Sequence, residues 1–186
     1  MILAAGESSR MGSPKALLEF RGETFLDRLI RCFSLHCDPV IVVLGHQPEA
    51  IRAGSQAADQ ALFVLNAHYE FGQFSSIQCG LRAVPAGSDG AILTPVDHPN
   101  IEAATVERLI ESGARIAIPQ YLGRHGHPML IARSLIPEFL ALPPDSQAHD
   151  VTRRHMHEIQ YVDVADPGVL DDIDDPEAYR RLLASA

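Results

Sequence analysis

The chain of 186 residues has no tryptophan, three cysteines and a single lysine, Lys15; every other basic residue apart from histidine is arginine. The thiols at Cys32, Cys37 and Cys79 are odd in number and show no Cys-x-x-Cys spacing, which argues against a disulfide framework and suits reduced thiols in a cytoplasmic protein. Positive charge is scarce as well. With 24 acidic against 15 basic residues the formal charge is −9, whereas a nucleic-acid or anionic-membrane surface needs a clustered basic face. Apolar runs stay short: Val40 to Leu44 falls far below the roughly 20 residues that span a bilayer, and no basic segment precedes an apolar one at the start. The chain therefore reads as soluble and unexported, and any anionic ligand must be met by a few local groups.

What is present is enough for one sizeable core, since 46% of the residues are hydrophobic, and one domain over 1–186 is expected. Met1–Ala5, Val40–Leu44, Leu62–Leu65, Ala91–Leu93, Ile116–Ile118 and Met129–Ile131 read as strands buried on both faces. Between them Phe25–Phe33, Ala50–Ala58, Ser76–Ala83 and Ala104–Ser112 carry apolar residues at helical spacing, and a last helix runs from Pro176 to about Ala184, with Pro at its start and Glu177 in its first turn. This alternation predicts an α/β fold, a three-layer α/β/α Rossmann-like sandwich over a mostly parallel mixed sheet, with the functional site at the carboxyl ends of the strands.

The first strand runs into Leu3-Ala-Ala-Gly-Glu-Ser-Ser-Arg-Met-Gly-Ser-Pro-Lys15, a loop of small and polar residues. Such a loop exposes backbone N–H groups to an anion, Arg10 adds a planar fork and Lys15 a point charge. It is neither Gly-x-x-x-x-Gly-Lys-Ser/Thr nor Gly-x-Gly-x-x-Gly. Its wording instead resembles the signature of the MobA-like nucleotidyltransferases, which attach CMP or GMP to molybdopterin, and more widely that of the sugar-phosphate nucleotidyltransferases. The resemblance continues through Phe74-Ser-Ser-Ile-Gln-Cys-Gly-Leu81, Thr94-Pro-Val-Asp-His-Pro99, Gly126-His-Pro128 and Asp172-Ile-Asp-Asp-Pro-Glu177. Family members generally carry several more residues ahead of the first strand.

The resemblance implies an enzyme of the nucleotide-diphospho-sugar transferase type, in which the loop from Leu3, Ala4, Ala5 and Gly6 to Arg10 and Lys15 wraps a nucleoside triphosphate. Asn66, Ser75 and Ser76 are then candidates for base and ribose contact; the two serines read equally well as an N-cap pair opening a helix. Arg10, Lys15 and Asp97 are the candidate catalytic groups. Mg²⁺ takes carboxylate and phosphate oxygens, so Asp97, at a strand end between Pro95 and Pro99, is the first candidate for the metal. By resemblance to related cytidylyltransferases Asp174 is the second, with Asp172 behind it, although both also suit a helix cap or solvent. Arg124, His127 and Arg153 are expected on the acceptor side. The histidine pairs His125-x-His127 and His155-x-His157 lack the partners of a zinc site.

Cytidine-using members resemble this chain in having Ala-Ala-Gly, where guanine-using ones have Ala-Gly-Gly, so CTP is the expected nucleotide and molybdopterin the expected acceptor. The segment Pro144-Asp-Ser-Gln-Ala-His-Asp-Val-Thr-Arg153 matches the family's Gly-Asp-x-Gly-Ala-Arg only at Arg153. Two other readings stand beside this one: transfer to a sugar or polyol phosphate, and a non-catalytic nucleotide-binding accessory of a molybdenum hydroxylase.

Overall fold

The structure is a computed structural model and describes residues 1–185. The chain starts in β1 (Ile2–Ala4) and passes through a 3-10 turn (Lys15–Leu17) and the hairpin of β2 (Glu19–Phe20) and β3 (Glu23–Thr24) into α1 (Phe25–Ser34). There follow β4 (Ile41–Leu44), α2 (Pro48–Gly54), β5 (Leu62–Leu65), α3 (Gln73–Arg82), β6 (Gly90–Pro95), α4 (Ala103–Glu111), β7 (Ile116–Tyr121), β8 (Arg124–His125) and β9 (Met129–Ala132). The remainder comprises α5 (Ile136–Ala141), α6 (Ala148–Thr152), β10 (Ile159–Asp163) and α7 (Pro176–Ala184).

The main sheet has the order β10-β7-β9-β6-β1-β4-β5, with β8 added on β7. Only β8 and β9 run against the rest. The pleat sorts alternate residues into two cores. Ile2, Val42, Leu44 and Ile92 meet Leu29 and Phe33 of α1, Val106 of α4 and Leu182 of α7 on one face. Leu3, Val43 and Leu93 meet Ile77 and Leu81 of α3, Phe139 of α5 and Val151 of α6 on the other. The three layers expected from the sequence are therefore present, and no helix among the described residues is long and apolar enough to cross a membrane.

Several local expectations change. β5 is the edge strand and leaves Leu62 and Leu65 exposed rather than buried on both faces. Helix α2 ends at Gly54, short of Ala58, because the chain beyond it is drawn to Asp27: Ser55 Oγ donates to its carboxylate at 2.6 Å, and the N–H groups of Ala57 and Gln56 donate at 3.0 and 3.2 Å. Asp27 itself sits in the first turn of α1, where its N–H donates to the capping Thr24 Oγ1. Helix α3 starts at Gln73 after Gly72 at φ +100°, so Ser75 and Ser76 lie inside the first turn and are not its N-cap.

The connections also place the site. From β1 the chain moves outward through β4 to β5, then crosses back to β6 on the opposite side of β1. The strand order thus reverses between β1 and β6, and the loops leaving their carboxyl ends part to form a crevice, as they do at the switch point of open α/β sheets.

Candidate active site

A cleft of about 390 Å³ opens at this switch point, lined by Leu3, Ala4, Ala5 and Gly6 from β1 and its loop, by Arg10 and Lys15, and by Asp97 and Asp174 opposite. The loop is set by its own backbone. Ser8 and Gly12 take positive φ (53° and 68°), Met11 N–H donates to Ser8 O, and Ser8 Oγ accepts from Lys15 N–H at 3.0 Å. That last bond fixes the residue from which the lysine side chain projects.

Lys15 Nζ lies 3.0 Å from Asp97 Oδ2 and 2.5 Å from Asp174 Oδ1, and Arg10 Nη2 donates to Asp174 Oδ2 at 2.9 Å. Burial pulls the ammonium's pKa down, but the bonds and charges of Asp174 and Asp97 outweigh it and hold Lys15 above an ordinary lysine. The hydrogen bond from Lys15, helped by Arg10, holds Asp174 below the usual carboxylate range.

The acidic run from Asp171 to Asp175 is divided by one buried residue and its main chain. Ile173 is in the core and its N–H donates to Asp97 O at 3.0 Å, which straps the run across the strand tip. Asp175 caps α7 by accepting from Glu177 and Ala178 N–H, so the capping role belongs to Asp175 and not to Asp174 or Asp172. Asp171 accepts from Asn100, Asp174 takes the two cations, and Asp172 gathers with Asp97 and His98, one ligand atom of each lying within 4.8 Å of the others. Desolvation, with the neighbouring charges of Asp97 and Asp174, pushes Asp172 above the usual carboxylate value.

His127 reaches this group from the Gly126-His127-Pro128 turn. Its N–H donates to Val169 O at 2.9 Å, and a Cβ at Gly126 would stand 2.0 Å from that same oxygen, so only glycine allows the turn to seat. The rings of His98 and His127 lie 4.4 Å apart. Burial, and then the neighbouring His98, lowers His127 to about 4; burial lowers His98 too, against the opposing pull of Asp97.

Not every residue singled out from the sequence reaches the cleft. Asn66 and Ser75 turn into the fold: Asn66 Nδ2 donates to both Ser75 Oγ and Ser76 Oγ, and Ser75 Oγ bonds to the carbonyls of Gly72 and His68. Their hydrogen-bonding capacity is thus spent on holding the start of α3, and of the three only Ser76 lines the cleft. Arg124, on β8, and Arg153, just after α6, are exposed and outside the lining. Tyr69, Glu70 and Gln73 do line it and carry no signal beyond lying just ahead of the Phe74-Ser-Ser motif. His98 was within reach of the sequence, as it stands inside the Thr94–Pro99 motif.

A cation loop facing a carboxylate strand tip at a sheet's switch point defines a nucleotidyltransferase. The MobA-like NTP transferase domain matches residues 1–159, and the chain belongs to that family. Among its relatives are the nicotine blue oxidoreductase of Paenarthrobacter nicotinovorans, 30% identical with 98% of this chain and 95% of the relative covered, and the molybdenum cofactor cytidylyltransferase of Escherichia coli, 25% identical over 96% and 92%. The crystal structure of Rv0371c from Mycobacterium tuberculosis superimposes with a TM-score of 0.86 at 31% identity, covering 98% of this chain and 95% of that one; a manganese complex of the same protein gives 0.78 at 28%, covering 100% and 97%.

Proposed function

We propose that the chain, as one cytoplasmic nucleotidyltransferase domain, transfers CMP from CTP to the phosphate of molybdopterin in a Mg²⁺-dependent reaction. The observation that carries this reading is the meeting of Lys15, Asp97 and Asp174 at the switch point. Two carboxylates that already share one ammonium are arranged for a cation, and Asp97 Oδ1 is buried with no hydrogen-bond partner, so the donors suit Mg²⁺. When bound there, Mg²⁺ would neutralise charge on the phosphate oxygens.

In the reaction an acceptor phosphate oxygen attacks the α-phosphorus, a new P–O bond forms, and the α–β bridging bond breaks in line to release pyrophosphate. Lys15, kept protonated by its carboxylates, exchanges them for oxygens of the departing pyrophosphate, and Arg10 does the same from the rim. The buried Ala5 methyl, at the turn where the base enters, favours a pyrimidine over a purine. The E. coli relative's name points to the same nucleotide and acceptor. The Paenarthrobacter relative is named an oxidoreductase, but the Gly6–Lys15 loop has no dinucleotide fingerprint. A molybdenum hydroxylase is the fitting partner to receive the product, and the three free thiols suit the cytoplasm.

Labelled CTP, Mg²⁺ and molybdopterin incubated with the protein yield the dinucleotide and pyrophosphate; no product with any nucleotide overturns the reading. A sugar or polyol phosphate is the second acceptor class, and a panel of phosphorylated acceptors separates the two. Tight CTP binding without pyrophosphate release would mark a non-catalytic accessory.

A further inference from the structure

The cleft has two ends of opposite character. Toward β6, Arg10 and Lys15 supply the only cations that line it among the described residues, and both reach Asp174. On the other side of β1, over β4 and β5, the lining is Tyr69, Glu70, Gln73 and Ser76 and holds no cation. A triphosphate is therefore drawn to the first end, and the second is left to the nucleoside. The turn that forms this second end is fixed by its main chain. Phe71 N–H donates to His68 O and Gly72 N–H to Tyr69 O, which closes a 3-10 turn over Tyr69–Phe71. That turn is seated on the chain leaving β4: a Cβ at Gly45 would stand 2.6 Å from Tyr69 Cβ and 2.7 Å from Ala5 O, and His46 N–H donates to the same oxygen at 3.0 Å. Tyr69 is thus held beside Ala5, where the base enters. Glu70, next to it, is exposed, lines the cleft and makes no hydrogen bond or ion pair among the described residues. Asp97 and Asp174 are answered by Lys15, whereas this carboxylate faces the nucleoside end free.

We infer that Glu70 is a specificity-determining residue that accepts a hydrogen bond from the exocyclic amine of the base and so sets cytosine above uracil; the inference rests on the reading of the cleft as a CTP site. An ionised carboxylate accepts and cannot donate. Cytosine presents an amino donor at its 4-position, and Glu accepting from that amine is one of the pairings by which proteins read cytosine. Uracil has a carbonyl at the same place, which a carboxylate repels, and its one ring N–H lies between two carbonyl oxygens. The Ala5 methyl separates pyrimidine from purine, and Glu70 separates the two pyrimidines from each other.

The test is calorimetric binding of CTP and of UTP to the full chain, with Mg²⁺ present and no acceptor. Wild-type protein should prefer CTP by roughly tenfold or more, and Glu70→Ala should reduce that preference to within about threefold. In Glu70→Gln the side-chain amide can donate to the uracil carbonyl, so UTP should bind more tightly than it does to wild type, a gain that damage to the fold would not produce. Equal binding of the two nucleotides by wild type overturns the inference, and so does an undiminished preference for CTP in folded Glu70→Ala. If wild-type protein binds neither nucleotide, the CTP reading of the cleft falls and takes this inference with it. If CTP binds and its preference survives in Glu70→Ala, only the role of Glu70 is lost.

Discussion

Lys15 Nζ stands 3.0 Å from Asp97 Oδ2 although 82 residues separate the two in the chain. With Asp174 at 2.5 Å on its other side, the ammonium lies where a cation bridging both carboxylates would lie. Lys15→Met keeps the side chain's length and removes its charge. Turnover should then fall by a factor on the order of 10²–10³, in line with loss of one electrostatic stabiliser. The free protein should meanwhile bind Mg²⁺ more tightly, since no ammonium competes for the two carboxylates. Calorimetric Mg²⁺ titration of both forms checks this, and weaker binding in the variant would contradict it.

Asp97→Ala should also lower turnover by a factor on the order of 10²–10³. Its folding should be largely kept, because the C-terminal strap is tied to the main-chain carbonyl of Asp97 and not to its carboxylate. Pyrophosphate release together with a melting curve separates loss of chemistry from loss of structure.

Asp27 is a purely structural acid. Asp27→Ala leaves a buried hydroxyl and two backbone N–H groups without their acceptor, at a cost of about 3 kcal/mol. Burial opposes ionisation of this carboxyl, but the bonds from Ser55, Thr24, Ala57 and Gln56 prevail and hold its pKa below the usual 3.8. Its stabilisation is therefore full above that value and is lost as pH falls through the folded-state pKa. Thermal melts of wild type and Asp27→Asn across the acid range should show a steeper acid limb in the wild type.

His155 behaves in the opposite sense. Hydrogen bonds to Glu138 and Glu158 raise its pKa above 6.5, so its contribution is full below pH 6.5 and disappears as pH rises through the raised value. His155→Gln should flatten the loss of melting temperature between slightly acidic and alkaline buffer; an unchanged slope would count against this ion pair.

Burial decided how much of this was legible beforehand. β1 and β4 are covered on both faces, so their residues are continuous aliphatic runs that need no partner to be recognised. β10, with Val162 its one buried residue, carries no such run and escaped notice. The loop from Gly6 to Lys15 and the tip at Asp97 were readable because their wording is specific. The five residues from Asp171 to Asp175 were not, because their roles depend on one main-chain bond from Ile173 that no side-chain pattern reveals. Asn66 and Ser75 read as ligand contacts in the sequence, whereas in the structure their side chains bond to each other and to the chain around α3. Polar groups beside a cleft also suit an internal network, and only coordinates show which way they turn.

The bond from Ile173 N–H to Asp97 O has a mechanical consequence. Flanking residues 172 and 174 are clamped to the strand that bears the opposing carboxylate, so the two jaws share one backbone frame and cannot spread independently. The spacing of the two carboxylate-bearing backbones is thus set by the main chain, and the side chains of Lys15 and Arg10 are what an entering cation must displace.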